Sequence, residues 1–173
     1  VTTTGQIGNF ANEILQKQNI EISAYFSVKM PDTWTSTFNL SNKEYVRKIN
    51  ERAELQIDSV IDKIINRAIG DYMQRKVPMP IAKWFYNMEY DTMRKTSHFH
   101  VENTCVGCGL CAQKCPISAI DITNKQPVWN QEQCVMCLSC LHHCPKFAIQ
   151  YGKRTKKHGQ YVHFPLSVKE NKV

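Results

Sequence analysis

A length of 173 residues allows one ordinary domain or two small ones, and 42% hydrophobic residues are enough for a packed core. There is no run of 18 apolar residues and no basic stretch followed by an apolar one, so the sequence predicts neither a membrane span nor a secretory signal. The formal net charge of +7 counts eight cysteines as neutral, and therefore does not by itself indicate a nucleic-acid partner.

The first hundred residues contain no cysteine and alternate between helix and strand patterns. Residues 9–17 have the spacing of a short amphipathic helix, and alternating apolar and polar residues over 20–28 predict a half-buried strand. A capping-box pattern at 41–44 introduces a long helix over 42–69, and a short helix is expected over 81–95. Two strands, counting a β-prone stub at the start, cannot close an α/β layer, so we expect this part to be incomplete.

All eight cysteines lie within residues 105–144 and form two copies of one motif. In each copy the first three cysteines are separated from one another by two residues. A fourth cysteine follows after three more residues, and a proline comes directly after it. The first copy is Cys105, Cys108, Cys111, Cys115 and Pro116. The second copy is Cys134, Cys137, Cys140, Cys144 and Pro145. Every cysteine of the first copy thus recurs 29 positions later, which makes this an internal repeat.

The repeat fits the ligand needs of 4Fe–4S clusters. A cluster needs one thiolate for each of its four irons, and three closely spaced cysteines can wrap one face of it. In this motif class the fourth cysteine ligates the other cluster. The sequence therefore predicts two 4Fe–4S clusters with crossed ligation and no catalytic side chain. One cluster is assigned to Cys105, Cys108, Cys111 and Cys144. The other is assigned to Cys134, Cys137, Cys140 and Cys115.

Other uses of cysteine fit the pattern less well. A zinc ribbon needs only four ligands in two separated pairs, which three consecutive Cys-x-x-Cys steps do not match. Disulfides would require an oxidising compartment, and the cysteines are too tightly spaced for the usual bridges. Buried structural cysteines would not explain a regular repeat. The cluster interpretation is therefore favoured over all three.

Residues 98–152 resemble the bacterial two-cluster 4Fe–4S ferredoxins, since all eight cysteines and both prolines match that pattern. The resemblance implies a pseudo-twofold fold in which each half supplies a short β-hairpin and a short helix, with residues 117–122 and 128–129 in the first hairpin. Gly107 and Gly109 are expected to take positive φ so that the backbone can approach the cluster. Met136 and Leu138 stand at these positions in the second copy, so the two clusters need not have equal potentials.

The resemblance extends beyond the cysteines. Residues 25–32, the long helix that follows and residues 151–157 resemble bacterial and archaeal proteins that fuse a flavodoxin-like domain to a two-cluster ferredoxin. The expected fold class is then α+β, a ferredoxin-type module preceded by a partial α/β segment whose first strands and helices lie upstream of Val1. The expected domains are a flavodoxin-like portion over 1–70, a helical linker over 71–97, the ferredoxin domain over 98–152 and a basic tail over 153–173.

Flavin binding is not expected on this chain alone. Flavodoxin-like domains hold the FMN phosphate in a Ser/Thr-x-Thr-Gly-x-Thr loop at a helix start, where backbone donors and hydroxyls converge. The nearest match here, residues 2–7, has Ile7 where a hydroxyl should stand. The phosphate site is therefore missing or damaged, and tight FMN binding is not predicted.

These observations favour an electron carrier with two low-potential one-electron centres in an anaerobic or microaerobic cytoplasm. Its expected partner is a redox protein, either a flavoprotein or an iron–sulfur oxidoreductase. The alternative is an electron relay of a flavin-containing oxidoreductase whose FMN site lies in the missing N-terminal half. A nucleic-acid-binding sensor is less favoured, because the basic run at 153–157 is short enough to be a solvated face.

Overall fold

A computed structural model describes residues 4–73 and 77–161, apart from the side chain of Phe85. The start of the candidate phosphate loop, at residues 2–3, and the end of the expected tail, at 162–173, lie outside the described residues. The chain divides into two compact units: residues 1–33 with 42–95, and residues 34–41 with the chain from Thr96 onwards. Within the described residues, no helix combines the length and apolar character that crossing a membrane requires.

The first unit is an α/β arrangement of five elements. In chain order they are α1 (Ile7–Gln16), β1 (Ala24–Phe26), α2 (Lys43–Ile65), β2 (Gly70–Tyr72) and α3 (Met79–Met93). Strands β1 and β2 pair in parallel, and α2 connects them. Helices α1 and α2 and strand β1 agree with the sequence-based prediction to within a few residues. Strand β2 was not predicted, and α3 belongs to this unit although residues 71–97 were expected to be a linker.

Helix α2 begins one residue later than a capping box at Ser41 would imply. The side chain of Asn42 caps the helix by accepting a hydrogen bond of 2.9 Å from the amide of Tyr45. Glu44, the acidic residue of the pattern, instead pairs with Arg47 at 2.7 Å on the exposed face of the helix. The capping-box pattern therefore places the start of the helix correctly to within one residue, but it indicates Ser41 as the cap instead of Asn42.

The second unit contains the cysteine repeat and eight short elements. They are a 3₁₀ turn (Thr96–His98), β3 (Phe99–Val101), α4 (Leu110–Gln113), β4 (Ile120–Thr123), β5 (Gln126–Trp129), α5 (Ser139–His142), β6 (Ile149–Tyr151) and α6 (Thr155–His158). The repeat is visible in the fold, because α4 and α5 occupy equivalent places in the two copies. Both helices are single turns, so tertiary contacts rather than helix propensity must hold them.

Two antiparallel strand pairs flank these helices. Strands β4 and β5 form the expected hairpin, with Ile120 opposite Trp129. The other pair joins β3 to β6, with Phe99 opposite Tyr151, and so links the two ends of the module. The second half therefore lacks a local hairpin of its own, in contrast to the expectation of one hairpin in each half. This pairing closes the module end to end.

The second unit also includes residues that the sequence places outside the ferredoxin domain. Thr155 at the start of α6 is fully buried, so the chain directly after residue 152 differs from the expected surface tail. Residues 34–41, which lie between β1 and α2 in sequence, also belong here. Trp34 of this segment packs against Tyr151, with ring centroids 5.2 Å apart. We refer to residues 34–41 as the strap.

Candidate metal centres

Each cysteine motif begins with a loop whose backbone enters the left-handed region at two positions. In the first copy Gly107 and Gly109 have φ of 67° and 76°, which confirms the expectation for these glycines. In the second copy Met136 and Leu138 take φ of 58° and 54° despite their side chains. The two loops therefore enter the left-handed region at the same two repeat positions, although only the first has glycine there.

Backbone amides point at cysteine sulfurs at equivalent places in the two copies. The amide of Ala119 donates to Sγ of Cys115 at 3.2 Å, and the amide of Ala148 donates to Sγ of Cys144 at 3.2 Å. Each donor lies four residues after its cysteine, beyond the proline. Hydrogen bonds of this kind stabilise a thiolate, so both fourth cysteines are in positions suited to metal ligation.

The eight cysteines line two cavities. The space at the first is about 360 Å³ and at the second about 320 Å³, counted together with the solvent at their openings. The cysteines that line the first cavity are Cys105, Cys108, Cys111 and Cys144. The cysteines that line the second cavity are Cys115, Cys134, Cys137 and Cys140. Each cavity therefore combines three cysteines of one motif with the fourth cysteine of the other, which are the two sets that the motif class predicts.

The thiols of each set surround a space and do not converge on one point. Among the described residues, no three His, Cys, Asp or Glu side chains are grouped closely enough to hold a single metal ion. The lining suits a larger group with soft ligands, since four cysteine side chains and mostly apolar residues surround each cavity. The residues present therefore fit a 4Fe–4S cluster in each cavity.

Burial differs strongly among the cysteines. Cys111 and Cys140, on α4 and α5, are buried, as is Cys134, whereas Cys108 and Cys137 are exposed. Burial raises the pKa of the Cys111 thiol, and it raises the pKa of Cys140 to about 12, with a further contribution from Cys137. Without a metal these two thiols are therefore protonated at neutral pH. Binding iron would have to supply the positive charge that stabilises their thiolates.

The second cavity has an aromatic wall that extends away from it. Phe99 and Trp129 both line the cavity and stack on each other, with centroids 4.9 Å apart. Tyr151 meets Phe99 edge-on, with ring centroids 5.0 Å apart, and its ring centroid is 5.2 Å from that of Trp34 in the strap. Trp129 is thus partly buried and packs against the core of the unit. The wall shields this cavity from water on one side.

Two residues at the end of the described chain, Gln160 and Tyr161, form hydrogen bonds with the second motif, and we call them the clamp. The side-chain amide of Gln160 donates to the carbonyl oxygens of Leu141 and Cys144, both at 2.8 Å. The amide of Tyr161 donates to Nδ1 of His142 at 3.1 Å. Sequence reasoning missed Gln160, and a single glutamine in a basic, aperiodic segment carries no signal that could have identified it. The clamp holds the backbone next to one fourth cysteine.

Comparisons with known proteins agree with this site. Residues 98–145 match a family described as a 4Fe–4S dicluster domain. The chain is 44% identical over 55 residues to an uncharacterized protein of Methanocaldococcus jannaschii, covering 32% of this chain and 21% of that protein. An uncharacterized polyferredoxin-like protein of the same organism is 36% identical in an alignment 62 positions long, gaps included, that covers 28% of this chain and 37% of that protein.

A third relative has a more informative name. It is a subunit of an ion-translocating oxidoreductase complex from Methanosarcina acetivorans, 39% identical over 46 residues, which is 27% of this chain and 17% of that protein. The chain thus spans well under half the length of each of these relatives. No solved structure matches it. Family match, relatives and cavity chemistry agree that this chain contains a 4Fe–4S ferredoxin module with an electron-transfer function.

Proposed function

We propose that the module binds two 4Fe–4S clusters and exchanges single electrons with a redox partner protein. The observation that carries this proposal is the composition of the two cavities. Each is lined by four cysteines, three from one motif and one from the other. Four thiolates for each cavity meet the ligand requirement of two clusters and leave none of the eight cysteines unused.

The ligands follow from the cavities. Cys105, Cys108, Cys111 and Cys144 would hold the first cluster. Cys115, Cys134, Cys137 and Cys140 would hold the second. When bound, such clusters supply one-electron redox centres, while the protein supplies ligation, hydrogen bonds to sulfur and exclusion of water. Apolar side chains such as Ile122 and Ile149 at the first cavity and Ile120 and Leu138 at the second perform the last of these tasks.

The number of clusters can be measured directly. Anaerobically purified protein should contain about eight irons and about eight acid-labile sulfides per chain. Colorimetric iron and sulfide assays, together with elemental analysis for zinc, provide the measurement. About two zinc ions and no sulfide would overturn the proposal, and about four irons with four sulfides would limit it to one cluster.

Paired substitutions test the crossed ligation. Cys108→Ala with Cys144→Ala removes two ligands of the same proposed cluster, so about four irons should remain. Cys108→Ala with Cys115→Ala removes one ligand from each, so far less iron should remain. Local ligation, in which each motif holds its own cluster, predicts the reverse order. The two double variants contain the same number of cysteines and therefore control for each other.

A second candidate function is an electron relay within a flavin-containing oxidoreductase. It is favoured by the parallel pairing of β1 and β2 through α2, which is the connection typical of doubly wound α/β domains such as the flavodoxin-like ones. In this reading the first unit is part of a flavodoxin-like domain, and the chain alone does not bind FMN tightly. Equilibrium dialysis with FMN tests the last point, since stoichiometric tight binding to this chain would contradict it.

We also propose a reducing compartment, the cytoplasm, as the site of action. Eight thiolate ligands persist only where cysteines are kept reduced. The proposed partner is a flavoprotein or an iron–sulfur oxidoreductase, because either can accept or donate electrons singly. The relative from the ion-translocating complex belongs to an oxidoreductase, by its name. Pull-down from an anaerobic lysate with an iron-loaded protein, against a cysteine-to-alanine control, tests for such a partner.

A further inference from the structure

The two cavities open to solvent through surfaces of different charge. At the first cavity Cys108 is exposed, and the exposed side chain of Lys146 lies on the lining. Lys125 approaches the same loop, since a Cβ added to Gly107 would lie 2.7 Å from both Cβ and the carbonyl oxygen of Lys125. We call this surface the Cys108 mouth. It consists of Val106, Cys108, Ile122, Lys125 and Lys146.

The second cavity lacks this charge. Its exposed cysteine is Cys137, next to Val135, whose side chain is 47% exposed. None of the described residues that line this cavity is charged. The difference in charge between the two linings can be traced to one position of the internal repeat. This position is Ile117 in the first copy and Lys146 in the second. The same backbone position thus presents a cation to one cavity and an aliphatic side chain to the other.

The two lysines of the Cys108 mouth are available for an external partner. Within residues 4–73 and 77–161, neither Lys125 nor Lys146 forms an ion pair. By contrast, Lys156 on α6 is engaged by Glu102, with Nζ 2.9 Å from the carboxylate. The mouth also exposes apolar surface, since Val106 is 58% and Ile122 38% exposed. The charge of the two lysines, which no acidic side chain among the described residues neutralises, is therefore available to attract an anionic partner.

We propose that an acidic redox protein docks on the Cys108 mouth and exchanges electrons through the first cavity. This inference rests on the proposed function, which it deepens by naming the entrance and the charge of the partner. Cations around a site steer an anionic partner towards it and raise the association rate at low ionic strength. The exposed Cys108 brings the edge of the first cavity to the surface at that point. The lining of the second cavity, which holds no charged residue among those described, supplies no such attraction.

Small charge changes at repeat-related positions test the proposal. The variants are Lys125→Gln, Lys146→Ile, which copies the residue of the other repeat, and Ile117→Lys, which transfers the cation to the second cavity. Lys153→Gln is the matched control, because Lys153 is exposed and lines neither cavity. Iron and sulfide contents are measured first, and Lys146→Gln replaces Lys146→Ile in the kinetics if the latter loses iron.

The probe is cytochrome c in its native basic form and in a succinylated, acidic form, so that one haem protein is presented with two surface charges. Reduced holo-protein is mixed with each form in an anaerobic stopped-flow instrument at low and high ionic strength. Lys125→Gln combined with Lys146→Ile should slow reduction of the acidic form about 3- to 10-fold at low salt, an effect that about 0.5 M salt removes. The same double variant should leave reduction of the basic form unchanged or faster.

The controls separate docking from function. Lys153→Gln should change the rate less than twofold, and Ile117→Lys should speed reduction of the acidic form. An equal effect of Lys153→Gln, or no effect of the double variant on a protein with full iron content, would overturn the docking proposal while leaving the proposed function intact. Absence of clusters, or failure to reduce either form of cytochrome c, would instead overturn the proposed function.

Discussion

His158 donates a hydrogen bond from Nδ1 to the carbonyl oxygen of Thr35, 123 positions earlier in the chain, at 2.7 Å. A second bond runs the other way, because the amide of Leu40 donates to the carbonyl oxygen of His158 at 2.7 Å. Trp34 adds its ring contact with Tyr151. The strap is thus held at both ends by α6 and β6 of the second unit. A ferredoxin module cut at residues 96–161 would lose these contacts.

Replacing threonine by valine should have different effects on the free energy of unfolding at two buried positions, one in the strap and one in α6. Thr35 is fully buried, and its Oγ1 has no hydrogen-bond partner among the described residues. Thr155 is equally buried, but its Oγ1 donates to Gln150 at 2.7 Å and accepts from the amide of Tyr151 at 3.0 Å. Thr155→Val should therefore lower the free energy of unfolding by about 1–3 kcal/mol, because it leaves buried polar partners unsatisfied.

Thr35→Val keeps the shape and removes only an unsatisfied hydroxyl, so it should be neutral or stabilising by up to about 1 kcal/mol. The measurement is anaerobic thermal denaturation of the holo-protein, followed by loss of the visible cluster absorbance. The comparison between the two variants is more informative than either alone. Equal destabilisation by both would contradict the hydrogen-bonding difference described above.

Leu40 should make the largest individual contribution of the strap to stability. Its side chain is 2% exposed, so Leu40→Ala should cost about 2–5 kcal/mol through lost burial and a cavity. Leu55 on α2 is 70% exposed and provides the control, with an expected change within about 0.5 kcal/mol for Leu55→Ala. The stability of each variant is measured as the temperature at which half of the visible cluster absorbance is lost on heating. A wild-type midpoint for Leu40→Ala would show that burial of this side chain does not stabilise the module.

Three of the four cysteines that line each cavity could be grouped from the sequence because their spacing is local, whereas the fourth comes from the other motif. The spacing of three cysteines fixes one face of a cluster, and the left-handed backbone at Gly107 and Gly109 follows from the absence of Cβ. The same reasoning could not foresee that Met136 and Leu138 adopt that conformation too. There the fold of the repeat overrides residue preference, at an energetic cost that the surrounding packing must offset.

Contacts between residues far apart in the sequence could not be predicted in the same way, because no sequence pattern marks them. The strap has no helical or strand periodicity, so nothing in its sequence distinguished Trp34 and Leu40 from loop residues until their burial was known. Strand β2 has three residues, too few to establish alternation, and is defined by its pairing with β1. Thr155 lies in a basic run that resembles a solvated face, although its hydroxyl is at the centre of a buried network.

The aromatic wall should protect the second cavity selectively. Phe99 is 9% exposed, lines that cavity and contacts both Trp129 and Tyr151. Phe99→Ala should lower the free energy of unfolding by about 3–5 kcal/mol and should admit water to one side of the cavity. We expect faster loss of iron in air than in the wild-type protein, with about four irons lost before the remainder. Timed iron assays during exposure to air measure this, with Tyr45→Ala as an exposed aromatic control; single-phase loss of all iron would argue against selective protection.

Gly107 and Gly109 offer a test of why the first loop uses glycine. Both have positive φ, so alanine should cost about 1–2 kcal/mol of backbone strain at either position. Only at Gly107 does steric conflict follow as well, because the new Cβ would lie 2.7 Å from Cβ and the carbonyl oxygen of Lys125. At Gly109 the nearest atom is Cγ1 of Ile122, at an ordinary distance of 3.8 Å.

Gly107→Ala should therefore displace the loop that carries Cys105 and Cys108, and reduce the iron content from about eight to about four per chain. Gly109→Ala should retain both sets of iron and lose only thermal stability. Iron and sulfide assays on the two variants, prepared in parallel under anaerobic conditions, give the comparison. Because strain is common to both positions, a difference between them isolates the contact with Lys125. Equal iron contents would mean that the hairpin turn yields to the added methyl group, and that Lys125 does not fix the position of the loop.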